Sequence, residues 1–210
     1  MSNRLSLSVT RSNLLRVREE LDFAQEGHEL LEQKREVLVM EVMSLLQDLR
    51  VWRRKVEEQL QRAYQSLEQA VVILGEENVT RIALSATSQE KIRIKDRSIM
   101  GVVIPVVTYS HENRTCHRYG FQGTSASLDI AVSLFCSALH MLAKLAELEV
   151  SILRLAIELK KTQRRANALH YLFIPEYRET IQYLENTLEE KERQELFQLK
   201  RAKKIHCDTC

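Results

Sequence analysis

The residues with the most chemical potential lie at the C-terminus, where His206-Cys207-x-x-Cys210 sets an imidazole close to two thiols. Such a trio can ligate zinc or cycle between dithiol and disulfide. A structural zinc site needs four ligands and no second pair completes this one, so the pattern reads as a reduced tail. Cys116-His117, with His111 nearby, has no ligand-like spacing and reads as loop residues. The five glycines are scattered at 27, 75, 101, 120 and 123, which excludes a phosphate loop and a dinucleotide fingerprint. Neither a Gly-x-Ser-x-Gly elbow nor a His-Glu-x-x-His helix occurs. The expectation is a chain with no catalytic, cofactor-binding or metal-binding residues of its own, and not an enzyme.

What remains suits contact with other chains. His28 and Arg35 interrupt an apolar stripe, where a polar residue sets register or meets a partner. Lys160-Lys161-x-x-Arg164-Arg165 and Lys200-Arg201-x-Lys203-Lys204 are basic runs, the second at a helix C-terminus where cations complement the dipole. Glu189 to Arg193 is a mixed-charge stretch expected to pair along its own helix. A formal net charge of +2 and the lack of basic residues interleaved with aromatics argue against nucleic acid.

These residues must be carried on long helices. The 210 residues include only five Gly and two Pro, with 29% charged and 6% aromatic side chains. Few breakers and few aromatics mark a long-helix protein, not a sandwich or an α/β enzyme. From Thr10 to Leu74 one heptad position reads Leu14, Leu21, His28, Arg35, Val42, Leu49, Val56, Ala63. Its partner position reads Val17, Ala24, Leu31, Leu38, Leu45, Trp52, Gln59. The stripe lasts about seven heptads, enough for a coiled coil. Thr10 or Ser12 suits the N-cap and Gly75 the stop. A second helix is expected over 128–204, capped by Ser125 or Ser127, with a stripe from Leu145 to Phe173. There the phase slips by one residue, continuing through Ile174, Tyr177, Ile181, Leu184 and Leu188. Pro175 at the slip removes a backbone donor and should bend or unwind the helix.

Neither stripe can be buried alone, so the fold class is mainly α: a long antiparallel two-helix coiled coil of N- and C-terminal helices in one elongated domain, 1–210. The connector, 75–127, differs in texture. Lys91 to Lys95 alternates strictly, Asp96-Arg97-Ser98 supplies a turn, and Ile99 to Thr108 is rich in β-branched residues. This predicts a β-hairpin over 91–108 whose exposed Ile92, Ile94, Ile99 and Val103 need cover or a partner. Pro105 confines its second strand to an edge. Val79 to Ala83 reads as another extended piece, and 205–210 as a tail. The most apolar window, Ile99 to Val107, is half the length of a membrane helix, and Met1 to Arg11 lacks a signal-peptide core. A cytoplasmic chain with reduced thiols and no direct membrane span is therefore expected.

Two stretches carry a resemblance beyond periodicity. One is Thr10-Arg11-Ser12-Asn13-Leu14-Leu15 followed by Gly27-His28-Glu29-Leu30-Leu31-x-x-Lys34-Arg35. The other is Thr162-Gln163-Arg164-Arg165-Ala166-Asn167-Ala168-Leu169, then Ile174-Pro175, Thr180-Ile181-x-Tyr183-Leu184 and Leu188-Glu189-Glu190-x-Glu192-Arg193. In order and spacing these resemble the D subunit of the V-type and archaeal A-type rotary ATPases, over essentially the whole chain. Val9 stands where that family often has Pro, Glu32 where Lys is common, and His170 where Glu is common.

The resemblance implies a central-stalk axle that carries rotation between a hexamer of catalytic and non-catalytic subunits and a proton- or sodium-translocating membrane ring. It implies a small F subunit of the stalk on the lower coil and a funnel-shaped subunit linking to the proteolipid ring, with the complex peripheral to the membrane. Hexamer contacts are expected at Arg11, His28, Arg35, Lys160, Arg164, Arg165, Asn167 and Pro175. The competing readings are a coiled-coil scaffold and the stalk protein of a secretion ATPase.

Overall fold

A computed structural model of the chain describes residues 5, 7–85, 91–110, 119–120 and 122–208. The elements follow the order α1 (Arg11–Leu74), α2 (Glu76–Ser85), β1 (Lys91–Ile99), β2 (Val102–Ser110), α3 (Ala126–Ala168), a π-helical turn (Leu169–Phe173) and α4 (Ile174–Asp208). Contacts cluster into two units, one of residues 1–36 with 160–210 and the other of 37–159. The readings that rest on His111, Cys116, His117 and Cys210, and on the side chains of His206 and Cys207, lie outside the described residues.

Helix α1 starts where a cap permits. The Thr10 hydroxyl accepts the Asn13 N–H at 3.3 Å and the Thr10 carbonyl accepts the Leu14 N–H, which satisfies donors the first turn would leave orphaned. It runs for 64 residues and stops at Gly75, whose φ of +81° is the left-handed conformation that ends a helix without a Cβ penalty. Ser125 precedes α3, and its carbonyl accepts from Leu128 and Asp129. Every residue of the α1 stripe predicted from the heptad pattern is buried or half-buried, and Val17, Leu38 and Ala63 are fully buried.

Within the first unit the helices run antiparallel. Arg11 pairs with Glu192, Arg18 with Glu185, and Arg35 donates to Gln163, so one number falls as the other rises. The same sense holds within the second unit, where Gln59 donates to Ser137 at 2.8 Å and the Ser66 hydroxyl donates to the Ser127 carbonyl. There Ala63, Ala70, Ala131 and Ala138 are all buried, small side chains that let two backbones approach closely.

The one-residue phase slip takes the form of the π turn. The Ile174 N–H donates to the Leu169 carbonyl, five residues back instead of four. One extra residue in a turn shifts the stripe from Phe173, 45% exposed, to Ile174, 7% exposed. Pro175, which has no N–H to donate, follows two residues after the end of this turn.

Three expectations about the middle of the chain are corrected. Val79 to Ala83 is helical, part of α2. Val79, Ile82 and Ala83 have helical spacing and line one apolar recess with Leu67, Leu128 and Val132, while Glu76 and Glu77 sit favourably at the helix N-terminus. The hairpin turn is not Asp96-Arg97-Ser98, which lies inside β1, but Met100-Gly101. Both turn residues have positive φ, 48° and 80°, the two-residue geometry whose twist matches the flanking strands. The third concerns apolarity: the helical run from Ala126 is, by length and composition, long and apolar enough to cross a membrane, and 17% of its most apolar window is buried.

The hairpin is held against the helices. Strands β1 and β2 pair antiparallel with Ile99 opposite Val102 and Ile94 opposite Val107. Ile104 forms a buried cluster with Leu38 and Leu155, and Val42, Leu45, Ile99, Val102 and Leu159 pack around it. β2 is the strand that meets the helices: Ile104 and Pro105 are both buried, whereas β1 is exposed from Ile92 to Ser98.

Candidate partner-binding surfaces

In the first unit, His28 of α1 lies ring over ring on His170, with centroids 5.1 Å apart and planes 26° apart. The His28 Nδ1 atom is buried without a hydrogen-bond partner. Tyr171 meets His170 edge-on at 4.7 Å. These rings open onto a recess of about 480 Å³ lined also by Gln25, Ile174, Pro175 and Arg178. Both His28 and Pro175 of the predicted contact set therefore line one recess, at the π turn.

Arg35 joins a second group. Its Nε donates to Glu32 Oε2 at 2.9 Å and its Nη1 to Gln163 Oε1 at 3.2 Å, while Gln163 Nε2 donates to Asn167 Oδ1 at 3.0 Å. Arg35 and Asn167 are thus tied into one cross-helix network, and Arg35 is half-buried. Lys160, Arg164 and Arg165 are exposed on the same helical run. Arg11 stands apart, paired with Glu192, whose hydrogen bond and charge raise the guanidinium pKa above its ordinary value. The acids at 185 and 192 thus reach across to α1, and Lys191 Nζ likewise reaches the Val9 carbonyl. The expected pairing of Glu189 to Arg193 along its own helix is confined, among the described residues, to Gln194 donating to Glu190.

In the second unit the four hairpin residues separate. Ile99 packs inward, whereas Ile92, Ile94 and Val103 are 59%, 66% and 49% exposed. Glu147, unremarked in the sequence, holds β2 in place. It is buried, its Oε2 accepts the Val107 N–H at 2.8 Å, and its Oε1 accepts from Lys144. Arg154 Nη1 donates to the Val103 carbonyl at 2.9 Å. Around the helices an apolar surface stays uncovered: Met40 and Met43 on α1, and Ile130, Leu139, Leu142 and Leu153 on α3. These are exposed apolar side chains of the kind that a neighbouring chain can cover.

Paired long helices with buried seams, cross-helix ties and uncovered apolar faces define a helical component of a larger assembly. Comparison with known proteins says which. Residues 13–204 match the family model described as the D subunit of ATP synthase. The A-type ATP synthase D subunit of Thermococcus sibiricus is 36% identical over 207 residues, covering 98% of this chain and 97% of the relative. That of Methanosphaera stadtmanae is 38% identical over 200 residues, covering 94% of each. The V-type ATP synthase D subunit of Thermotoga neapolitana is 38% identical over 199 residues, covering 95% of this chain and 98% of the relative. The chain belongs to the ATP synthase D-subunit family.

Proposed function

We propose that this chain is the non-catalytic central-stalk subunit of an A/V-type ATP synthase, the axle that carries rotation between a catalytic hexamer and a proton- or sodium-translocating membrane ring. The observation that carries this reading is the way the helices are joined. A single helix twists easily, and a torque-bearing part needs its two helices locked to each other. In the first unit Arg11–Glu192, Arg18–Glu185 and Arg35–Gln163 do so; in the second, Gln59–Ser137 and Ser66–Ser127.

Contacts with a surrounding hexamer must break at every step. Solvated cations suit that better than a large apolar lock. Lys160, Arg164 and Arg165, together with the recess at His28 and Pro175, are the surfaces we assign to the catalytic and non-catalytic subunits. The small F subunit of the stalk takes the uncovered apolar faces of α1 and α3, and the funnel-shaped subunit the end that carries α2. The chain then works on the cytoplasmic side, peripheral to the membrane, as part of the complex.

Two measurements test this. Catalytic and non-catalytic ATPase subunits should co-purify with the tagged chain. Arg164→Ala with Arg165→Ala should lower rotation-coupled ATP hydrolysis by about tenfold, roughly 1.4 kcal/mol of coupling, without lowering the melting temperature. Unchanged turnover and hexamer binding would sink the assignment of these two cations.

A further inference from the structure

The two edges of the hairpin are treated differently. In an antiparallel pair, residues alternate between those bonded to the partner strand and those whose main chain faces outward. Val103 and Val107 face outward on β2, since one offers its carbonyl to Arg154 and the other its N–H to Glu147. Pro105, midway between them, has no N–H to leave unpaired. The β2 edge is therefore guarded at three successive outward positions.

Their cross-strand partners on β1 are Ser98, Asp96 and Ile94. These also face outward, and among the described residues no hydrogen bond reaches their main chain. All of β1 from Ile92 to Ser98 is exposed. Its side chains alternate by chemistry as well. Arg93, Lys95 and Arg97 share one face and have no acidic partner among the described residues, while Ile92 and Ile94 share the other and are exposed.

We propose that the open edge of β1 takes an added strand from another polypeptide, one that alternates acidic and apolar residues. Its acidic side chains would stand beside Arg93, Lys95 and Arg97, and its apolar ones beside Ile92 and Ile94, at the short spacing of neighbouring strands. Main-chain hydrogen bonds to residues 94, 96 and 98 supply the attachment and the alternating side chains supply the choice of partner. The same basic row forbids a second copy of this chain at that edge, because β1 against β1 sets cations against cations. The proposal does not depend on the rotary role and concerns only the chemistry of the occupant.

The test uses the full chain and two blocked, fluorescently labelled peptides of about nine residues, a typical strand length or longer, one alternating Glu and Val and the other Lys and Val. The Glu–Val peptide should bind saturably, weaken with salt, and bind about tenfold or more tightly than the Lys–Val peptide. At saturation the amides of residues 94, 96 and 98 should exchange with solvent about tenfold more slowly. Ile94→Pro removes one outward N–H, as Pro105 does on the facing strand, and should weaken binding about tenfold, whereas Ile94→Ala should change it less than about threefold. Asp96→Pro repeats the test opposite Pro105, and exchange of the Val106 and Thr108 amides reports that the hairpin persists. Equal binding of both peptides, no saturable binding, or bound peptide with unslowed β1 amides overturns the proposal.

Discussion

His28 and His170 stack across the two helices of the first unit, and the stack leaves His28 Nδ1 buried without a partner. The contact therefore combines a favourable ring interaction with an unsatisfied polar atom. The two effects can be separated. His28→Ala removes the ring and leaves a void, and should cost about 1–3 kcal/mol. His28→Phe keeps a ring of similar width and removes the stranded nitrogen, so it should be neutral or stabilising by up to about 1 kcal/mol. Thermal unfolding of both variants checks this; a Phe variant as damaged as the Ala variant would mean that the nitrogen has a partner after all.

The π turn yields a prediction that couples two sites. Its extra residue accounts for the slip in the apolar stripe, and Pro175 lies two residues beyond its end. Deleting Tyr171 alone should force a regular helix onto Pro175, with the ring pressing on the preceding turn, and cost about 3 kcal/mol. Deleting Tyr171 together with Pro175→Ala should recover most of that loss, because the helix is then continuous. Circular dichroism and melting temperature read both. Equal losses in the two variants would show that the π turn is not a response to the proline.

Much of this was legible in the sequence, for definable reasons. The α1 stripe from Leu14 to Ala63 repeats so regularly that burial could be assigned residue by residue. The slip near Pro175 was visible as a broken period, although its form as a π turn over Leu169–Phe173 was not. Asp96, Arg97 and Ser98 read as the hairpin turn because they are ordinary turn residues, whereas the left-handed Met100 is not; Gly101 is the usable signal. In α2 the β-branched residues outweighed the 79/82/83 spacing. The His28–His170 stack was not legible, because it depends on the antiparallel register that sets Arg35 against Gln163, and a heptad pattern alone does not fix that register. Glu147 offered no signal, because its partner is a main-chain N–H 40 residues away.

That carboxylate is the basis of a third prediction. Glu147→Ala leaves the Val107 N–H without its acceptor and opens the β2 edge. The cost should be about 1–3 kcal/mol, and the Val107 amide should exchange faster than its neighbours. Glu147→Gln retains an acceptor oxygen and should cost less than about 1 kcal/mol. If both substitutions perturb the hairpin equally, the charge interaction with Lys144, and not the N–H bond, holds the edge.

The last prediction concerns alkaline pH. The Tyr119 hydroxyl donates to Asp129 Oδ1 at 2.5 Å. Burial, then the hydrogen bond and the negative charge of Asp129, push the phenol above its ordinary range. A raised pKa in the folded state means that the protonated phenol is favoured by folding. That stability is fully present below the unfolded value of about 10 and is lost progressively as pH rises above it toward the folded value. Melting temperatures measured between about pH 8 and pH 11.5 should therefore be steady at first and then fall, with a contribution that Tyr119→Phe removes. The phenylalanine variant should be less stable than the parent at pH 8, since Asp129 loses a donor, and the gap should narrow as the pH rises. A gap that stays constant across the range would mean that Tyr119 ionises as freely in the folded chain as in the unfolded one.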